Sequence, residues 1–154
     1  RPYLQGARLT ASVLKEQGFK TTVITDNMVA WTISQKNIDL FTSAADTICM
    51  DGYIVNKVGT LQIAILCKHF GIPYFVTGIP DIDKLKKDII IEERNPNEVL
   101  EFNNLKNTLD GVEAYYPAFD ITPPYLINGV VTDKKIFSPY NLDEYFKDEV
   151  EQYY

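Results

Sequence analysis

Histidine is nearly missing from this chain, His69 being its single example, and only two cysteines, Cys49 and Cys67, are present. Their spacing matches no Cys/His metal site and makes a poor disulfide framework, so no metal is expected. The two read as reduced thiols in a cytoplasmic protein. His69 falls late in a helical stretch, where it suits the negative end of the helix dipole. Basic residues are outnumbered, 15 to 21, for a formal charge of −6, and their one small cluster is Lys84, Lys86 and Lys87. That balance argues against nucleic acid as a partner, because phosphate contacts need clustered Lys and Arg. No apolar run approaches the roughly 20 residues that span a bilayer, so no membrane partner is expected. Internal repeats and low-complexity tracts are absent too. The chain opens on Arg1-Pro2 with a helix starting almost at once, which leads us to expect a C-terminal piece of a longer protein.

What is present suffices for one domain: 154 residues, 45% of them hydrophobic, support a real core. Leu4, Ala7, Ala11 and Leu14 trace a helical face that stops at Gly18. Residues 20–25 form a short β-rich run ending at Asp26, a good N-cap for a second helix over 29–35. Residues 38–43 read as a strand. Val58, Leu61, Ile65 and Lys68 mark a third helix closed by Gly71. Residues 73–77 have the compact apolar character of a buried parallel strand. This alternation of helix and strand predicts an α/β fold, a parallel sheet with helices on both faces. The second half is less regular. Residues 88–93 begin as a strand, and Pro96 opens a short helix to about 102. Residues 103–110 read as a loop and 114–120 as extended and aromatic. Thr122-Pro123-Pro124 suits a helix start running to about 130. Residues 136–137 form a last strand and 141–154 an acidic terminal helix.

Residues 43–60 carry the candidate site. Asp46 is a lone carboxylate in an apolar run at the carboxyl end of a strand, where open α/β sheets bind their ligands. Flanked by Ala44, Ala45 and Ile48, it is expected to be desolvated, which would raise its pKa toward the range useful in acid–base catalysis. It could equally cap a turn. Asn56-Lys57 is read as the start of the third helix, whose free N–H groups and dipole would attract an anion. Asn is also an ordinary N-cap and Lys an ordinary solvated residue. A Lys in the first turn opposes the dipole unless an anion neutralises both. Glu92-Glu93-Arg94 suits either an ion-pair cluster or a solvated turn. Tyr115, Tyr116 and Phe119 suit core or dimer surface.

Six separated blocks occur in order along the chain: RPYLQGARLTA (1–11), VITDNMVA (23–30), AAD (44–46), NKVGT (56–60), IIIEERNPNEV (89–99) and YPAFDITP (116–123). Together they resemble the C-terminal domain of the methylthioribose-1-phosphate isomerases. That superfamily also holds ribose-1,5-bisphosphate isomerase and the regulatory subunits of translation initiation factor 2B. The resemblance implies a Rossmann-like catalytic domain over 1–154, behind a smaller helical N-terminal domain and usually dimeric. It implies an aldose–ketose isomerase of methionine salvage that uses neither metal nor nucleotide cofactor. Asp46 stands where the family has its catalytic acid/base, and Gln5, Asn56 and Lys57 where it contacts the sugar phosphate. The family's second catalytic residue is a cysteine upstream of the RPYLQG block, matched by neither Cys49 nor Cys67, so these 154 residues alone are expected to be inactive. Thr47 replaces a family Arg beside the acid, and Tyr53 replaces an Asp and is expected to add bulk near the pocket. These departures bear on which sugar is used: a methylthioribose 1-phosphate first, with ribose 1,5-bisphosphate and 5-deoxyribose 1-phosphate as alternatives. A non-catalytic regulatory subunit is the alternative from another class.

Overall fold

The computed structural model describes residues 3–147. A π-helical turn, Gly6–Thr10, runs directly into helix α1 (Ala11–Glu16). Neither buries a residue, so Leu9, Val13 and Leu14 face outward. The β-rich run at residues 20–25 is not a strand, contrary to the sequence pattern. It pairs with no neighbour among the described residues, and β-branched composition without a ladder partner does not make a strand. A 3₁₀ turn, Asp26–Met28, leads into α2 (Val29–Gln35), over the residues the periodicity predicts. Strand β1 (Phe41–Ala44) starts later than expected because its partner begins only at Tyr74, opposite Phe41.

The next segment holds an unforeseen antiparallel ribbon. Strand β2 (Thr47–Ile48) turns through Asp51-Gly52 into β3 (Ile54–Lys57). Gly52 sits at φ +82°, and a Cβ there would lie 2.3 Å from the Pro139 carbonyl oxygen, so the turn requires glycine. Helix α3 (Thr60–Phe70) follows and ends at Gly71, with His69 exposed in its last turn. Strand β4 (Tyr74–Thr77) is nearly as expected.

In the second half the strand read at 88–93 reduces to a single bridge between Glu93 and Pro117. Pro96 leads into α4 (Asn97–Leu100). That helix stops short of the expected 102, and β5 (Glu101–Phe102) pairs with β6 (Leu105–Lys106), which lies in the stretch read as a loop, to form a hairpin. Asn103 and Asn104 close it at φ +52° and +63°, the mirror-image turn that Asn tolerates. Strand β7 (Phe119–Thr122) pairs antiparallel with β3. The helix expected over 122–130 is only a 3₁₀ turn, Pro124–Leu126, followed by β8 (Gly129–Val131). Pro123 is extended at ψ 152°. Asn128 then exchanges two bonds with Tyr74, accepting from its N–H at 2.9 Å and donating its own N–H at 2.8 Å. Those bonds hold the chain in the sheet. Strand β9 (Ile136–Phe137) and α5 (Glu144–Lys147) complete the described chain; residues 148–154 of the expected terminal helix lie outside it.

The main sheet has the order β1-β4-β8-β9, parallel through β8 with β9 antiparallel. A second, antiparallel sheet runs β2-β3-β7. The α/β class with a mostly parallel sheet is therefore as the sequence predicts. The core joins the two sheets to α3 through Ile48, Ile54, Ala64, Tyr74, Val76 and Val130. Tyr74 is fully buried, stacks on Phe41 with ring centroids 4.4 Å apart, and shares a 2.7 Å hydrogen bond with the Ser43 hydroxyl.

Burial pushes the Tyr74 hydroxyl up to about 12, only partly opposed by the bond to Ser43. A raised acid pKa means that the unfolded chain releases its proton first, so this group's contribution falls as pH climbs from 10 toward 12. Tyr74→Phe is expected to lose about 1 kcal/mol at neutral pH, one hydrogen bond's worth. Its deficit relative to wild type should shrink across that alkaline window. Urea denaturation at several pH values measures both, and a constant deficit would contradict the account.

Candidate active site

Strand alternation divides β3 into two functional faces. Val55 and Lys57 project to one side and Asn56 to the other. Val55 lines a cleft of about 400 Å³ together with Asp46, Thr47, Lys84, Glu92 and Phe119. Lys57 lines a larger one of about 560 Å³ with Gln5, Thr25, Asp26, Gly59 and Thr60. The Lys57 ammonium of the second cleft lies 4.0 Å over the Phe119 ring of the first, a cation–π contact between residues paired across β3 and β7. Each volume is in the range of small-molecule sites. Tyr53 lines neither cleft; its ring instead lies 5.5 Å from the Lys86 ammonium.

The structure thus brings Gln5 and Lys57 into one cleft and places Asp46 in its neighbour. Asp46 follows the end of β1 as predicted and its N–H bonds the Val55 carbonyl at 2.9 Å. It is exposed, contrary to the desolvation expected from its apolar neighbours, although Ile48 two residues on is fully buried. Gln5 is also exposed, at the head of the first helical turn. It follows Leu4, which holds φ +58°, an uncommon conformation for a bulky residue.

Asn56-Lys57 requires a correction. The pair ends strand β3 and does not open α3, which begins three residues later at Thr60. The Asn56 amide donates to the Thr60 hydroxyl at 2.9 Å, and that hydroxyl donates to the Lys57 carbonyl at 2.8 Å. The helix start is not an empty anion site either. The Asp120 carboxylate accepts from Gly59 N–H at 2.7 Å and from Leu61 N–H at 3.1 Å. Burial raises the Asp120 pKa, against the opposing pull of these two N–H groups. The sequence pattern does not single out Asp120, because its partners lie 59 and 61 residues away. The one signal was an acid set between Phe119 and Ile121 in an otherwise apolar strand.

Beyond Phe119 lies a second charged group. Arg94 pairs with Glu92 at 2.8 Å and stacks 4.8 Å from the Tyr3 ring. Arg94 holds the Glu92 carboxyl below its ordinary range, with Lys57 adding a smaller share. Within Glu92-Glu93-Arg94 the ion pair is thus the exposed Glu92 with the half-buried Arg94. Of the aromatics, Tyr116 is buried, Phe119 half-buried and Tyr115 exposed.

The matches to known proteins fit this geometry. The family model described as the initiation factor 2 subunit family matches residues 1–139. The chain belongs to the initiation factor 2 subunit family. Within that family it is 46% identical over 142 residues to methylthioribose-1-phosphate isomerase of Bacillus pumilus, covering 90% of this chain and 40% of that protein. The crystal structure of 5-methylthioribose 1-phosphate isomerase from Pyrococcus horikoshii superposes with a TM-score of 0.89 at 38% identity, covering 97% of this chain and 44% of the other. The delta subunit of translation initiation factor eIF-2B from A. fulgidus superposes with a TM-score of 0.84 at 34% identity, covering 90% and 42%. The chain spans less than half the length of these relatives.

The Asn56–Thr60–Lys57 chain of bonds carries a prediction. Thr60→Val keeps the shape but removes the hydroxyl that serves both neighbours, and should cost about 1–2 kcal/mol. Thr60→Ser keeps the hydroxyl and should be nearly neutral. A neutral Thr60→Val with a destabilised Thr60→Ser in chemical denaturation would show that the methyl group, not the hydroxyl, matters.

Proposed function

We propose that this chain is the catalytic domain of an aldose–ketose isomerase that acts on a 5-substituted ribose 1-phosphate, methylthioribose 1-phosphate first, in methionine salvage. The observation that carries the reading is the placement of Gln5 and Lys57 in one cleft and Asp46 in another, with Lys57 of the first in contact with Phe119 of the second. The likeness to the Bacillus pumilus isomerase supports it.

The substrate lies across that contact. Its anomeric carbon carries phosphate, so the ring cannot open as a free hemiacetal does. A proton must reach the ring oxygen as its bond to C1 breaks, and hydrogen must move from C2 to C1 to give the ketose 1-phosphate. Asp46 is the residue of this chain that exchanges the proton. Its exposure in the cleft leaves the carboxylate accessible until substrate excludes water. Lys57 and Gln5 hold the phosphate and the sugar hydroxyls, and Asn56 fixes the end of β3. The second catalytic group, a cysteine, belongs to a segment preceding these residues, and the working protein is a homodimer.

The regulatory-subunit reading has a specific observation behind it, the likeness to the A. fulgidus eIF-2B delta subunit. Asp46→Asn in the complete protein separates the two. Asparagine keeps the shape and one acceptor but cannot exchange a proton, so kcat and kcat/KM should fall together by about 10²–10⁴-fold. Circular dichroism should be unchanged. Wild-type turnover in that variant would put the regulatory subunit ahead. The sugar itself is decided by comparing kcat/KM for methylthioribose 1-phosphate, 5-deoxyribose 1-phosphate and ribose 1,5-bisphosphate.

Lys57→Ala tests the binding role. An ion pair with phosphate serves ground and transition states alike, so the loss should fall in KM, by about ten- to a hundredfold. A normal KM with collapsed kcat would instead place Lys57 in the chemistry.

A further inference from the structure

Asp120 is the one carboxylate in the site region that is substantially buried and fully engaged, and no step of the proposed reaction uses it. Both its oxygens face the backbone between β3 and α3. One accepts from Gly59 at 2.7 Å, and both stand 3.1 Å from Leu61 N. The carboxylate therefore takes the place at the head of an eleven-residue helix that an external anion would otherwise fill. A substrate phosphate meets a helix start whose charge is already neutralised, so it must rely on side chains.

The same contact sets where those side chains point. Asp120 pairs with Asn56 across the ribbon, and Phe119 with Lys57. Val58 N–H bonds the Ala118 carbonyl at 3.1 Å. From Ala118 to Asp120, β7 thus grips each residue of the turn that follows Lys57. Gly59 holds φ +107° in that turn, where a Cβ would approach the Asp26 carboxylate to 4.0 Å. Glycine adopts this conformation at no steric cost, and the Asp120 bond to its N–H holds the turn in place.

We propose that Asp120 is a positioning residue for phosphate recognition: by anchoring Gly59 and Leu61 it fixes the end of β3 and aims Lys57 along the Phe119 ring into the cleft. This rests on the isomerase reading for the identity of the substrate, but not for the phosphate it carries. Asp120 touches no substrate; it acts through the turn.

The test uses the complete protein. Asp120→Ala should raise KM for methylthioribose 1-phosphate and the inhibition constant of inorganic phosphate together, by about tenfold. Its kcat should stay within about threefold of wild type. Asp120→Asn keeps an acceptor oxygen and a good capping side chain, and should recover most of that loss. A lowered melting temperature with KM and phosphate inhibition unmoved would overturn the proposal, since that is what a purely structural cap gives. Should Asp120→Ala fail to fold, calorimetric phosphate binding to Asp120→Asn decides. Affinity about threefold weaker than wild type, from the weaker hold of a neutral acceptor on Gly59 and Leu61, supports the proposal, and equal or tighter affinity, which loss of a negative charge alone would give, sinks it. Should wild type turn over none of the ribose 1-phosphates, the isomerase reading fails, and the same calorimetric comparison still judges Asp120.

Discussion

The pairing of β3 with β7 is the constraint on which the site depends. In its register Lys57 faces Phe119 and Asn56 faces Asp120. Side chains alternate with a period of two, so a slip of one residue would turn Lys57 toward α3 and Asn56 toward the clefts. Register is held by three devices of different kinds. Ile54 and Val55 are buried and tolerate no exchange of faces. Gly52 fits its turn only as glycine. Asp120 reaches beyond the ladder to the start of α3. The main parallel sheet is the platform, and the small antiparallel sheet carries the side chains.

Charge is distributed with the same economy. Lys57 and Arg94 both approach Phe119, at 4.0 and 5.8 Å from its centroid. Arg94 is held by Glu92 and leans on Tyr3. Lys57 makes the shorter approach to the ring. An aromatic face attracts a cation without neutralising it, whereas a carboxylate partner would cancel the charge that a phosphate needs. Phe119 therefore orients Lys57 and leaves its charge uncancelled.

Much of the fold was legible from the residues. The 3.6-residue period and Gly71 located α3, and the compact apolar run located β4. The fold class followed from their alternation. Asp46 was rightly placed at the end of a strand. What was not legible depends on contacts between distant residues. Residues 20–25 have strand composition but no partner. Pro123 and Pro124 look like a helix start, yet Asn128 binds Tyr74 and draws the chain into the sheet. Asn56-Lys57 looked like a helix start because Asn is a good cap, and only the β7 partner reveals the strand. The exposure of Asp46 was misjudged from its neighbours in sequence, because it falls between the end of β1 and the start of β2, where an exposed residue stands two positions from the buried Ile48.

The two cysteines acquire a meaning of their own from their surroundings. Burial, with Asp51, Asp81 and Asp88 adding to it, pushes the Cys49 thiol up to about 11. Burial raises Cys67 as well. Thiolates are the reactive species, so at neutral pH both sulfurs are protonated and shielded. This domain is therefore a quiet background for alkylating reagents. A thiol introduced at this domain's surface would be labelled against almost no competing signal from Cys49 or Cys67.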